Sequence, residues 1–129
     1  MKQPKNPVGW FEIPVTDMDR AVKFYSHILE ADLSKNIMEM GEELMCWLPW
    51  QEGEPGASGA LVKHELYAPS DFAGVLIYLS SEDVTASLAL VKEAGGKEVI
   101  AKKLITEDIG YMGAFIDSEG NRIALHSRK

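Results

Sequence analysis

Residues 9–25 read Gly9-Trp10-Phe11-Glu12-Ile13-Pro14-Val15-Thr16-Asp17-Met18-Asp19-Arg20-Ala21-Val22-Lys23-Phe24-Tyr25, and within them the apolar spacing changes from a strand period to a helix period. Val8 to Val15 alternate: Phe11, Ile13 and Val15 share one face, Trp10, Glu12 and Pro14 the other. Pro14 has no amide hydrogen to give a neighbouring strand, which assigns it to a sheet edge or a bulge. Thr16 and Asp17 are N-cap residues by type. Met18, Ala21, Val22, Tyr25, Ile28 and Leu29 then recur at three- and four-residue steps, with Phe24 widening the stripe, so an amphipathic helix is expected to end near Ala31.

The same grammar restarts in the second half. Gly74–Ser80 reads as a strand, Glu82 or Asp83 as the next cap, and Val84, Leu88, Val91 and Ala94 as the buried stripe of a second helix that Gly95-Gly96 ends. A shift of 66 residues lays Asp17 on Asp83 and Phe24 on Leu90. Each helix is followed by three extended runs. In the first half these are Leu33–Met40, Glu43–Trp50 and Gly59–His64, with the turn-rich Gln51–Ser58 before the last. In the second half Lys97–Ile105 is a strand pair or one bent strand, and Tyr111–Ile116 and Arg122–Ser127 form a hairpin around Asp117–Asn121. Residues 1–7 read as a short polar arm and Tyr67–Phe72 as a linker. The expectation is an α+β fold of two tandem βαβββ modules, at about 8–66 and 73–127, in a single domain over 1–129. One helix covers one face of each sheet, and the opposite faces are left to enclose a cavity, a natural small-molecule site.

Composition narrows the classes. Of the 129 residues, 46% are apolar and 26% charged, which suits a packed domain and not a disordered segment. Thirteen Lys and Arg against twenty Asp and Glu leave a formal charge of −7, which argues against a nucleic-acid partner. The lone Cys46 makes no internal disulfide, so a reducing compartment is expected. No apolar run approaches a membrane span, and the lysines at the start precede no apolar stretch, so neither an anchor nor a signal peptide is read. A cytoplasmic protein without a membrane partner is the expectation.

The opening from Gly9 to Asp17 followed by Ala21-Val22-Lys23-Phe24-Tyr25, the restart at Val75–Asp83, and the ending Ala114-Phe115-Ile116-Asp117-Ser118-Glu119-Gly120-Asn121-Arg122-Ile123-Ala124-Leu125 together resemble the vicinal oxygen chelate superfamily. That group includes glyoxalase I, bleomycin-resistance proteins and extradiol dioxygenases, and the likeness covers residues 8–127. It implies paired βαβββ modules around a cavity, often a homodimer, and in the enzymes a divalent metal held by His, Glu or Gln. The metal positions that the resemblance implies carry other residues here. Seven residues before Asp17 stands Trp10, seven before Asp83 stands Leu76, and the final-strand position is Ala124. The remaining position falls near Gly59-Ala60-Leu61, which has no donor side chain. The expected cofactor is therefore none.

Glu12 shares the face of Trp10 and is either a general base and ligand acceptor or the partner of a cation such as Arg122. Trp10, Trp47, Tyr78 and Tyr111 are candidates for an aromatic box around a planar or cationic ligand, against a plain core role. Trp10 and Tyr78 have the strand parity of the cavity side. His126, on the face of Ala124 and Arg122, is read as an acid–base group or a rim residue. Glu12, His64 and His126 would make a two-histidine, one-carboxylate iron set if the fold brought them together. His27 is expected in solvent, Cys46 as a buried thiol, Lys102-Lys103 as a solvated strand end, and Met18, Met38, Met40, Met45 and Met112 as packing residues. Two functions follow. One is a metal-free protein that binds a small organic molecule through Trp10, Glu12 and Tyr78. The other is a glyoxalase-like lyase or dioxygenase-like enzyme, with a rearranged metal site or with Glu12 as base.

Overall fold

The computed structural model describes residue 2 and residues 6–129, so positions 1 and 3–5 of the expected polar arm lie outside the described residues. Strand β1 is Phe11–Pro14, with Ile13 buried, as is Val15 just beyond it, and Glu12 exposed, as the alternation requires. Asp17 caps helix α1 (Met18–Leu29): its side chain accepts from the Arg20 amide at 3.0 Å. Glu30, in the left-handed region at φ 53°, ends the helix.

The three runs that follow become β2 (Ile37–Met40), β3 (Glu43–Trp47) and β4 (Gly59–Lys63). The first is shorter than the sequence suggests. Asp32 Oδ1 accepts from both the amide and the hydroxyl of Ser34, and a single 3₁₀ turn at Ser34–Asn36 takes up the start of the run. In module two the elements are β5 (Tyr78–Ser80), α2 (Val84–Glu93), β6 (Lys97–Thr106), β7 (Gly110–Ile116) and β8 (Arg122–Ser127). Asp83 is the cap, accepting from Thr85 N at 3.0 Å. Of the two alternatives for Lys97–Ile105, one strand is found, with register shifts that bend it.

The strand expected at Gly74–Ser80 is corrected to its last three residues. The Arg122 amide, which opens β8, donates to Ser70 O at 3.2 Å, so the linker occupies the place where Val75 and Leu76 would have paired. Val75 is left 90% exposed.

Each module forms a four-stranded sheet, in the orders β1-β4-β3-β2 and β5-β8-β7-β6. The first pair in each is parallel and the others antiparallel. Pro14 is therefore on an edge strand. The helices cover one face of their own sheets and also touch each other, so a single core runs through both modules. Phe24 of α1 meets Phe115 of β7 with ring centroids 6.0 Å apart. Gly96 sits at that junction: a Cβ there would lie 2.7 Å from both Phe24 and Val91 side-chain atoms, which only glycine avoids.

Candidate functional site

The faces turned away from the helices position the site. In the parallel pairs Glu12 lies beside Ala60 and Tyr78 beside Ala124, so a large edge residue stands next to a small, fully buried one in each module. Between the two edges runs a cleft of about 630 Å³, lined by Val8, Trp10 and Glu12 from module one and by Leu76, Ile77 and Tyr78 from module two. Trp10 is 44% and Tyr78 51% exposed, so the cleft is open to solvent and accessible without rearrangement.

Trp10 is a shared wall. Its indole meets Trp47 edge-on, with centroids 5.9 Å apart and planes at 75°, and the two line a second cleft of about 320 Å³ together with Trp50. The Trp10 indole N–H also donates to Glu12 Oε2 at 3.2 Å. Glu12 faces a third cleft, of about 470 Å³, beside Pro14, Val62 and Tyr67. Trp50 escaped the sequence reading: it falls beyond the end of β3, where strand parity no longer places a side chain.

The remaining predicted residues lie elsewhere. Arg122 borders a smaller cavity of about 200 Å³ next to Glu12, but its Nε donates to Asp71 O at 2.7 Å, and the two side chains form no ion pair. The Glu12–Arg122 pairing is thereby corrected. His126 is held by its Nε2 against Ile109 O at 2.6 Å, outside the Trp10 cleft. Tyr111 packs on the core, on the helix side of β7, with Lys102 Nζ 4.7 Å from its ring centroid. That lysine is not simply solvated, since it also reaches Asp83 Oδ1 at 2.9 Å and so ties β6 to the cap of α2. His27 is exposed, as expected, with Glu93 Oε2 3.0 Å from its Nε2. Met40, expected to pack, is 49% exposed.

The positions at which the resemblance implies a metal meet at this same place. Trp10 and Leu76 line the cleft, and Ala124 lies beside Tyr78. Indole, isobutyl and methyl groups offer no lone pair that a divalent cation takes, so these residues do not fit a metal. Glu12, His64 and His126 do not converge; among the described residues no three His, Cys, Asp or Glu side chains are grouped for metal binding. His64 Nδ1 instead accepts from Leu66 N at 3.1 Å, and its ring lies against Tyr67.

A buried ionic network holds the two modules in register. The Glu119 side chain, fully buried, accepts at Oε1 from the amides of Thr16 and Asp17 at 2.9 and 2.8 Å and at Oε2 from Arg20 Nε at 2.6 Å. Burial opposes its ionisation, but the Arg20 guanidinium and the Asp17 and Thr16 amides outweigh it and bring the carboxyl down to about 2. Nearby, Asn121 Nδ2 donates to Pro14 O at 2.8 Å. Burial first, then the charge of Asp117, pushes the Tyr25 phenol well above its usual range. Cys46 is buried as expected, and burial raises its thiol to about 11.

Fold and cleft define a protein of paired βαβββ modules with a small-molecule-sized groove at their junction. The family model of the Glyoxalase/Bleomycin resistance protein/Dioxygenase superfamily matches residues 8–125, and the chain belongs to that superfamily. Glyoxalase I from Zea mays is similar in structure: TM-score 0.70 at 18% identity, covering 95% of this chain and 46% of that one. The chain thus spans about half the length of that glyoxalase I. A glyoxalase/bleomycin resistance protein from Albidiferax ferrireducens aligns over 95% of this chain and 100% of its own, at TM-score 0.67 and 15% identity. TnmS3, an antibiotic binding protein from a Streptomyces species, aligns over 98% and 99%, at TM-score 0.63 and 21% identity. Among curated proteins none matches the sequence. No helix is long and apolar enough to cross a membrane among the described residues.

Proposed function

We propose that this protein binds a small organic molecule in the Trp10–Tyr78 cleft and does so without the metal of its enzymatic relatives. The observation that carries the reading is the apolar chemistry of the positions where a cation would need His or Glu: Trp10 and Leu76 line a cleft of drug-sized volume together with Tyr78, and Ala124 pairs with Tyr78. The structural likeness to an antibiotic-binding protein over nearly the whole of both chains supports a binding role. Trp10, Glu12 and Tyr78 make the principal contacts and Trp47 extends the aromatic surface, while Arg122, which lines the adjoining smaller cavities, and His126 stand outside the lining of this cleft. Tyr111 serves the core.

The protein acts in the cytoplasm, in keeping with a free, buried Cys46. It acts as a homodimer: Phe72 and Val75, each 90% exposed, are apolar surface of the kind that a second copy covers. Nucleic acid is not a partner of a chain with net charge −7.

Anthracenemethanol, a neutral aromatic probe that absorbs where tryptophan emits, tests the binding reading. Saturable quenching of tryptophan emission is expected, weakened in Trp10→Ala. Absence of saturable quenching, or quenching unaltered by Trp10→Ala, would overturn it.

A further inference from the structure

The charge inventory of the clefts points to the chemistry of the ligand. Glu12 is the only charged residue among the described residues that line the Trp10–Tyr78 cleft. Among the described residues it is again the only one lining the cleft beside Tyr67, and none lines the tryptophan cleft. Arg122 is the one cation among the described residues that line the neighbouring smaller cavities, and it is turned to Asp71 O. No described residue lining these clefts therefore compensates the negative charge of Glu12. One carboxylate oxygen receives the Trp10 indole N–H, and the other has no protein donor among the described residues. Indole and phenol faces next to a lone carboxylate form a surface that attracts cations twice, through the ring quadrupoles and through the charge.

We propose that the cleft selects organic cations: molecules with a flat apolar body that lies between Trp10 and Tyr78 and an ammonium or amidinium group that meets the free oxygen of Glu12. This rests on the binding reading above and adds the sign of the ligand's charge. It places Glu12 as a recognition group and not as a base. Anionic ligands are disfavoured, because no cationic side chain among the described residues lining the cleft balances them and Glu12 repels them. Since the cleft is open, water and salt moderate the preference.

Three probes with one ring system separate the claims: anthracenemethylammonium, anthracenemethanol and anthracenecarboxylate, each substituted on the central ring and titrated at neutral pH and low salt. The ammonium is expected to bind at least tenfold tighter than the carboxylate, with the alcohol between. Glu12→Gln is expected to reduce that ratio to threefold or less. Glu93→Gln, which removes the same charge from the exposed surface of α2, retains it. Binding of all three within threefold of one another, or an equal fall of the ratio in Glu12→Gln and Glu93→Gln, overturns cation selection while leaving the binding reading intact. Failure of all three probes to saturate overturns the binding reading and cation selection with it.

Discussion

The phenol of Tyr25 donates to Asp117 Oδ2 across 2.5 Å, joining the helix of module one to the hairpin turn of module two over 92 residues of chain. Both groups are buried. The same carboxylate receives the amides of Glu119 and Asn121 at 2.8 Å through Oδ1, so one side chain both shapes the turn and pins it to α1. Tyr25→Phe keeps the ring and removes one donor from a buried carboxylate. A loss of about 1.5–3 kcal/mol is expected, read by urea denaturation with an unchanged slope. A loss below about 0.5 kcal/mol would show that the bond contributes little.

Glu119 makes stability depend on acid. Folding holds its carboxyl at about 2 against an ordinary 4.5, so between these values the unfolded chain takes up a proton that the folded chain does not. Its contribution is complete above about 4.5 and is lost as pH falls toward about 2. The amount is on the order of 3 kcal/mol. Denaturation curves collected through that range should show Glu119→Gln less stable at neutral pH and with a flatter decline in acid. Parallel declines in the two proteins would contradict the assignment.

Cys46 should be inert in the native state. Its thiol is fully buried, donates to Leu33 O at 3.2 Å, and is raised to about 11 by burial. An aromatic disulfide reagent at mildly alkaline pH should react only as fast as the protein opens, with the rate rising in urea. Immediate stoichiometric reaction without denaturant would contradict it.

The aromatic walls of the cleft should differ in weight. Trp10 borders both the 630 Å³ and the 320 Å³ clefts, whereas Trp47 borders only the second. Trp10→Ala should weaken anthracenemethanol binding about tenfold or more, and Tyr78→Ala about fivefold, with Trp47→Ala costing least. Calorimetric titration checks the order, free of the change in tryptophan emission. A larger effect at Trp47 than at Trp10 would move the ligand to the second cleft.

Much of this was legible along the chain because it rests on local rules. Asp17 and Asp83 announce their helices through cap chemistry, Pro14 announces an edge through its missing amide, and the 66-residue offset announces two modules. What the sequence hid depends on partners far away in it. The apolar run from Gly74 reads as a strand, yet the Arg122 amide is already taken by Ser70 O, and the strand is cut short. Tyr111 looks like the other aromatic candidates until the register of β7 turns it toward the helix. Glu119 looks like one more acidic turn residue, and only folding places it on two amides and a guanidinium 99 or more residues away. Trp10, Glu12 and Tyr78 were readable as a set because strand parity alone puts them on the cleft side.

One titration decides whether an organic ligand binds at Trp10 and Tyr78 without a metal. Anthracenemethanol is added to protein treated with a chelator, and to the same protein supplied with Zn, Ni, Fe or Mn, while tryptophan emission is followed. Saturable quenching with one Kd is expected in every sample. Quenching that arises only after a metal is supplied would contradict it.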